Sequence, residues 1–134
     1  MCKVLLVCCN PASANGIASE LSKCGFETDV ALSETEGAKL LGELSPDAVV
    51  VNSNSATSEG STLCQRIRDG FNLPVILLGN DPEERVYISA SEHRADWDYY
   101  MRLPVNYEEL AARLKVLLWR YGKAEKPGNG RAHM

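Results

Sequence analysis

The run Pro46-Asp47-Ala48-Val49-Val50-Val51-Asn52 decides how this chain folds. Three valines follow one another with no polar alternation, the pattern of a strand buried on both faces of a parallel sheet. Pro46-Asp47 marks the entry, and the polar stretch Ser53-Asn54-Ser55-Ala56-Thr57-Ser58-Glu59-Gly60 marks the exit. In open parallel sheets, binding and chemistry gather just beyond the carboxyl ends of the strands. The residue at that place here is Asn52, an amide.

Working outward, the same pattern recurs. Lys3–Cys8 is a continuously apolar first strand, followed by Pro11, which suits the first turn of a helix. That helix runs to about Cys24, with Ile17, Leu21 and Cys24 on one face, and Gly25 ends it. Phe26–Ala31 is a short second strand. Ser33-Glu34-Thr35-Glu36 is a capping box that opens a helix through Leu40, Leu41 and Leu44. Beyond Asn52, a helix with Leu63 and Ile67 facing inward stops near Asp69-Gly70. Val75–Leu78 is the fourth strand, ending at Gly79-Asn80. Asp81-Pro82 starts another helix, carrying Val86, Ile88 and Ala90. Trp97–Met101 is the fifth strand. Asn106-Tyr107-Glu108-Glu109 caps a last helix with Leu110, Leu114, Leu117 and Leu118 at helical spacing.

Five alternations of strand and helix with short connections predict an α/β domain, a doubly wound five-stranded parallel sheet with helices on both faces. The right-handed crossover rule leaves few topologies. The domain is expected over residues 1–121. Residues 122–134 lose periodicity, turn to Gly, Pro, Lys and Asn, and are expected to form a flexible tail or linker.

With 134 residues, a formal charge of -4 and 45% hydrophobic content, the chain is one ordinary globular domain without the basic stripe of a nucleic-acid-binding surface. The apolar run Val4–Cys9 is too short to span a membrane, and Asn10-Pro11 follows it at once, unlike a signal peptide. The five cysteines, Cys2, Cys8, Cys9, Cys24 and Cys64, are odd in number, which suits reduced thiols in a cytoplasmic protein. No Cys-x-x-Cys pair or His-rich spacing is present, so neither a metal site nor a cofactor is expected. His93 and His133 lie far from the Ser/Thr-rich loop, and no glycine-rich phosphate loop occurs, so an enzyme is not expected.

Several pieces in order carry a resemblance. They are Lys3-Val4-Leu5-Leu6-Val7, Cys24-Gly25-Phe26-Glu27, Ser45-Pro46-Asp47-Ala48-Val49-Val50-Val51, Leu63-Cys64-Gln65-Arg66-Ile67-Arg68, Leu73-Pro74-Val75-Ile76, Asp98 with Tyr100, Pro104, and Glu108-Glu109-Leu110. From Lys3 to about Arg120 the chain resembles the receiver domain of two-component response regulators (CheY-like). Its final helix looks most like receivers that precede winged-helix DNA-binding domains (OmpR/PhoB-like). The resemblance implies strand order 2-1-3-4-5. It also implies a phosphorylation pocket built from an acidic pair after the first strand, an acceptor aspartate after the third, a hydroxyl after the fourth and a lysine before a proline after the fifth. These positions are occupied here by Cys8 and Cys9, Asn52, Gly79 and Leu103. An amide is a very poor phosphoryl acceptor, and without clustered carboxylates little remains to draw Mg²⁺ from its water shell. The expectation is a vestigial pocket: a pseudo-receiver acting in signalling or transcriptional regulation by protein contact, without aspartyl phosphate.

The aromatic position that couples pocket to output in receivers is Tyr100. The output face of the resembling subgroup, on the fourth helix, fifth strand and last helix, would carry Tyr87, Asp98, Tyr100, Glu109 and Arg113. Asp98, Glu109 and Arg113 match charges that pair across a dimer. Tyr99 and Ser89 stand where further charges would be. A protein partner or a second copy is therefore expected there, and no nucleic acid or membrane. The alternative is a thiol-based redox or ligand sensor using Cys8 or Cys9. Adjacent strand residues point to opposite sides, so at most one of the two faces the pocket.

Overall fold

The computed structural model describes residues 2–52, 66–67, 69–79 and 98–125. Five parallel strands, β1 (Lys3–Val7), β2 (Glu27–Ala31), β3 (Ala48–Asn52), β4 (Val75–Gly79) and β5 (Tyr99–Arg102), form one sheet in the order β2-β1-β3-β4-β5. The helices are α1 (Pro11–Lys23), α2 (Glu34–Leu44) and α3 (Tyr107–Arg120). Of the two helices expected between β3 and β5, only Arg66, Ile67, Asp69 and Gly70 are described, and they are helical. The one expected from Asp81, with Tyr87 and Ser89, lies outside the described residues, as does Trp97.

Registration explains the absence of polar alternation. Val4, Leu5, Leu6 and Val7 pair in parallel with Ala48, Val49, Val50 and Val51. Even-numbered side chains of β1, β3 and β4 (Val4, Leu6, Ala48, Val50, Ile76, Leu78) join Met101 under α1 and α3. Their odd-numbered neighbours (Leu5, Val7, Val49, Val51, Val75, Leu77) join Tyr100 beside Leu41 of α2 and Ile67. These three strands are thus dry on both sides. Each buried Val or Leu contributes about 1.5–3 kcal/mol of burial.

Local signals placed the helix ends. Asn10 Oδ1 accepts from the N–H groups of Ala12 and Ser13 (3.0 and 3.2 Å), with Pro11 at the first helical position. Ser33 Oγ accepts from Glu36 N–H at 3.1 Å, but the Glu36 carboxylate reaches back to Leu32 N–H (2.9 Å), one residue beyond the reciprocal box expected. Gly25 (φ +97°) and Gly122 (φ +76°) close α1 and α3. In each case the glycine N–H and the one after it turn back onto helix carbonyls: Gly25 to Ser22 and Phe26 to Leu21, Gly122 to Trp119 and Lys123 to Leu118.

Several boundaries differ from expectation: β2 starts at Glu27 rather than Phe26, and β4 includes Gly79. β1 ends at Val7, although Cys8 N–H still bonds Ala31 C=O at 2.9 Å. β5 starts at Tyr99 and extends to Arg102, because Asp98, just before it, turns its side chain onto β4. After α3, Lys123 N–H bonds Leu118 C=O at 2.8 Å, and Ala124 packs on the α1/α3 core. The turn that ends α3 carries these residues back over the core.

Candidate functional site

The sheet order reverses between β1 and β3, so their carboxyl ends open the crevice where an α/β sheet of this type works. Cys8 and Asn52 meet there. Asn52 is 8% exposed, and its Nδ2 donates to Cys8 Sγ at 3.5 Å. Cys8 is 1% exposed, and its thiol faces the carbonyl of Asn10 at 3.5 Å. The parity of β1 and β3 aims both side chains toward the α1 side, and the contact with Asn10 joins them to the cap of α1. Cys9, one residue on, is exposed.

Gly79 ends β4 in the buried interior, and its carbonyl accepts from Leu103 N–H at 2.9 Å. Leu103 is half-buried against the α1/α3 core, and the Leu103-Pro104 bond is cis. The structure thus gathers Cys8 and Asn52 into direct contact and joins Gly79 to Leu103 through the backbone. The donors at these positions are an amide, two thiols and aliphatic or backbone groups. A hard, oxygen-seeking cation such as Mg²⁺ does not fit this set. Among the described residues no group of three His, Cys, Asp or Glu side chains could hold a metal ion. No disulfide joins Cys2, Cys8, Cys9 or Cys24.

The expected output residues divide into three environments. Tyr100 is 9% exposed and points inward, in the cluster with Leu77 and Ile67. Glu109 and Arg113 are exposed on α3, four residues apart and so on one face. Both hold Tyr99: its hydroxyl donates to Glu109 Oε2 at 3.3 Å, and the Arg113 guanidinium lies over its ring, 4.4 Å from the centroid. Tyr99, Arg102, Asn106 and Glu109 line a shallow depression beside β5.

Asp98 is committed inside the fold. Its Oδ2 accepts from Val75 N–H at 2.7 Å, and its Oδ1 accepts from the Tyr121 hydroxyl at 2.8 Å. Asp47 does the like at β3, its Oδ2 accepting from Lys3 N–H at 2.8 Å. Burial and this carboxylate together push the Cys2 thiol up. Sequence reasoning missed the Tyr99 hub and both aspartate clamps. The spacing of Glu109 and Arg113 and the placement of an Asp just ahead of two strands were the available signals.

No family model matches the chain. Curated relatives do. The chain is 27% identical over 123 residues to the DNA-binding dual master transcriptional regulator RpaA of Synechocystis, covering 90% of this chain and 50% of that protein. It is 32% identical over 120 residues to the transcriptional regulatory protein AfsQ1 of Streptomyces coelicolor, covering 90% and 52%. Among solved structures, the receiver domain of the Francisella response regulator 1452 superposes with a TM-score of 0.77 at 24% identity, over 90% of this chain and 98% of that one. By its fold and its similarity to these regulators, the chain is a response-regulator receiver (CheY-like) domain. It spans about half the length of the curated relatives it matches. No described helix is long and apolar enough to cross a membrane.

Proposed function

We propose that this domain is a pseudo-receiver: a cytoplasmic signalling module that acts by protein contact, without aspartyl phosphorylation and without catalysis of its own. One observation carries the reading. The place of the acceptor holds Asn52, buried and donating its amide to Cys8, itself in the place of an acidic residue. Phosphoryl transfer to a side chain needs a nucleophilic oxygen and electrostatic stabilisation of the transferred group. Asn52 supplies no carboxylate, and Leu103 supplies no cation.

Contact through the β5–α3 face, to a protein partner or a second copy, is the output this reading assigns. Glu109, Arg113 and Arg102 offer the exposed charge there, because the Asp98 carboxylate is already bonded within the fold. The net charge of -4 speaks against direct nucleic-acid binding by this domain. The thiol-sensor alternative is weaker, since Cys8 is covered and only Cys9 faces outward.

The test is titration with Mg²⁺ and then beryllofluoride or acetyl phosphate, following tryptophan fluorescence, intact mass and sedimentation. Unchanged fluorescence, no phosphoryl adduct and an unchanged assembly state are expected. A beryllofluoride-dependent change in assembly, or an adduct on any residue of the crevice, would overturn the reading.

A further inference from the structure

The Asp98 carboxylate faces two elements at once. One oxygen takes the first N–H of β4, and the other takes the phenol of Tyr121, the residue that caps α3. The backbone of Asp98 closes the same contact from the other side, its N–H donating to Val75 C=O at 2.8 Å. Asp47 makes the equivalent two-way bond to Lys3, with Asp47 N–H on Lys3 C=O at 2.8 Å. Closing the strand ladder is common to both aspartates; the bond to a helix end is the addition at Asp98.

Tyr121 stands where the chain leaves its last helix. The next two residues complete the turn onto Trp119 and Leu118, Lys123 C=O receives the Cys2 thiol at 3.7 Å, and Ala124 rests on the core. The same helix holds β5 at a second point, through Glu109 and Arg113 on Tyr99. Arg113 and Tyr121 are about 12 Å apart along α3 at 1.5 Å per residue. Motion of β5 against α3 therefore strains both contacts, and only the Tyr121 contact adjoins the exit.

We propose that Asp98 and Tyr121 form a clasp that couples the position of β5 to the path of the chain beyond α3. With the clasp closed, the exit is held on the base of the sheet. With it open, Gly122 to Ala124 lift from the core. The device does not depend on the state of the Asn52 pocket, because it lies at the opposite end of the strands.

Site-resolved amide exchange on the intact chain tests this. The Lys123 amide reports the turn after α3, and the Phe26 amide, which closes the like turn after α1, is the internal control. Tyr121→Phe removes one hydroxyl and should speed exchange at Lys123 about tenfold or more, the weight of a hydrogen bond to an ionised group, with Phe26 unchanged. Asp98→Ala should do the same and also free the Val75 amide. The double variant should exchange at Lys123 no faster than Asp98→Ala alone, because both changes remove one interaction. Equal acceleration at Phe26 and Lys123, additive effects, or a wild-type rate at Lys123 in Tyr121→Phe would each overturn the clasp. Should Asp98→Ala fail to fold, the ratio of Lys123 to Phe26 rates in Tyr121→Phe decides alone.

Discussion

At the amino-terminal end of the sheet, Asp47 and Asp98 each commit a carboxylate to the first N–H of a neighbouring strand. At the carboxyl-terminal end, where receivers do their chemistry, the corresponding polar contact is an amide on a thiol, Asn52 on Cys8. The two ends belong to the same strands and differ in what their polar groups do. At the base, charge completes the backbone ladder and ties it to a helix end. At the mouth, a neutral pair fills the space, and its thiol meets the carbonyl of Asn10, the residue that caps α1. Among the described residues, the carboxylates of Asp47 and Asp98 hold the base of the sheet together, and the contact at the mouth is between two neutral side chains.

Substitutions can break this contrast. The largest effect is expected for Asp98→Ala, which leaves the Val75 N–H and the Tyr121 hydroxyl without their charged acceptor. The variant should lose about 2–3 kcal/mol in urea unfolding, because hydrogen bonds to ionised groups are the costly ones to remove. A loss below about 0.5 kcal/mol would mean that the base is not held by its aspartates.

Asn52→Asp sharpens the contrast from the other side. A carboxylate cannot donate to Cys8 Sγ, and burial raises its pKa above the unfolded value of about 3.9. A raised folded pKa makes the penalty absent below the unfolded value and progressively larger as pH rises to the folded one. The variant should match the wild type near pH 3.5 and fall about 1–3 kcal/mol below it at pH 7. Paired urea titrations at the two pH values measure this, and a pH-independent difference would show that the new carboxylate reaches water.

A smaller effect is expected at the face between the two ends. Arg113→Ala removes the guanidinium from the Tyr99 ring and should cost about 0.5–1 kcal/mol, the usual range for an exposed cation–π contact. Tyr99→Leu should then make the loss of Arg113 nearly neutral in a double-mutant cycle. Least costly to the fold is thiol labelling, which probes the mouth directly. Mass mapping after brief iodoacetamide treatment should find Cys9 modified on the order of ten times faster than Cys8, since access governs a covered thiol. Cys2, pushed up by burial and Asp47, should also lag. Comparable rates at Cys8 and Cys9 would mean that the crevice opens readily.

Much of the fold was legible because the strands are buried on both faces. The valines of β3 and the leucines of β1 and β4 have no polar side to confuse their reading. Asn10, Ser33, Gly25 and Asn106 mark helix ends through bonds to residues two to four positions away. The composition of the mouth was equally legible, since a change of residue type at a strand end is visible without coordinates. Less was legible wherever a side chain serves a residue distant in sequence. Asp98 reads as a surface charge on a signalling face, yet it bonds Val75 and Tyr121, each 23 residues away. Tyr99 reads as a gap in a row of charges, yet Glu109 and Arg113 converge on it.

What the amino-acid sequence determined by itself was the alternation of dry strands and capped helices, and the neutral residues at the strand ends. Both depend on short-range periodicity and on the chemistry of single side chains. Only the tertiary structure decided that Cys8 rather than Cys9 turns inward against Asn52, that Tyr100 is buried, and that Asp98 closes the base of the sheet onto Tyr121. Those outcomes depend on strand register and on how a helix end docks, and register brings together residues that no local pattern relates.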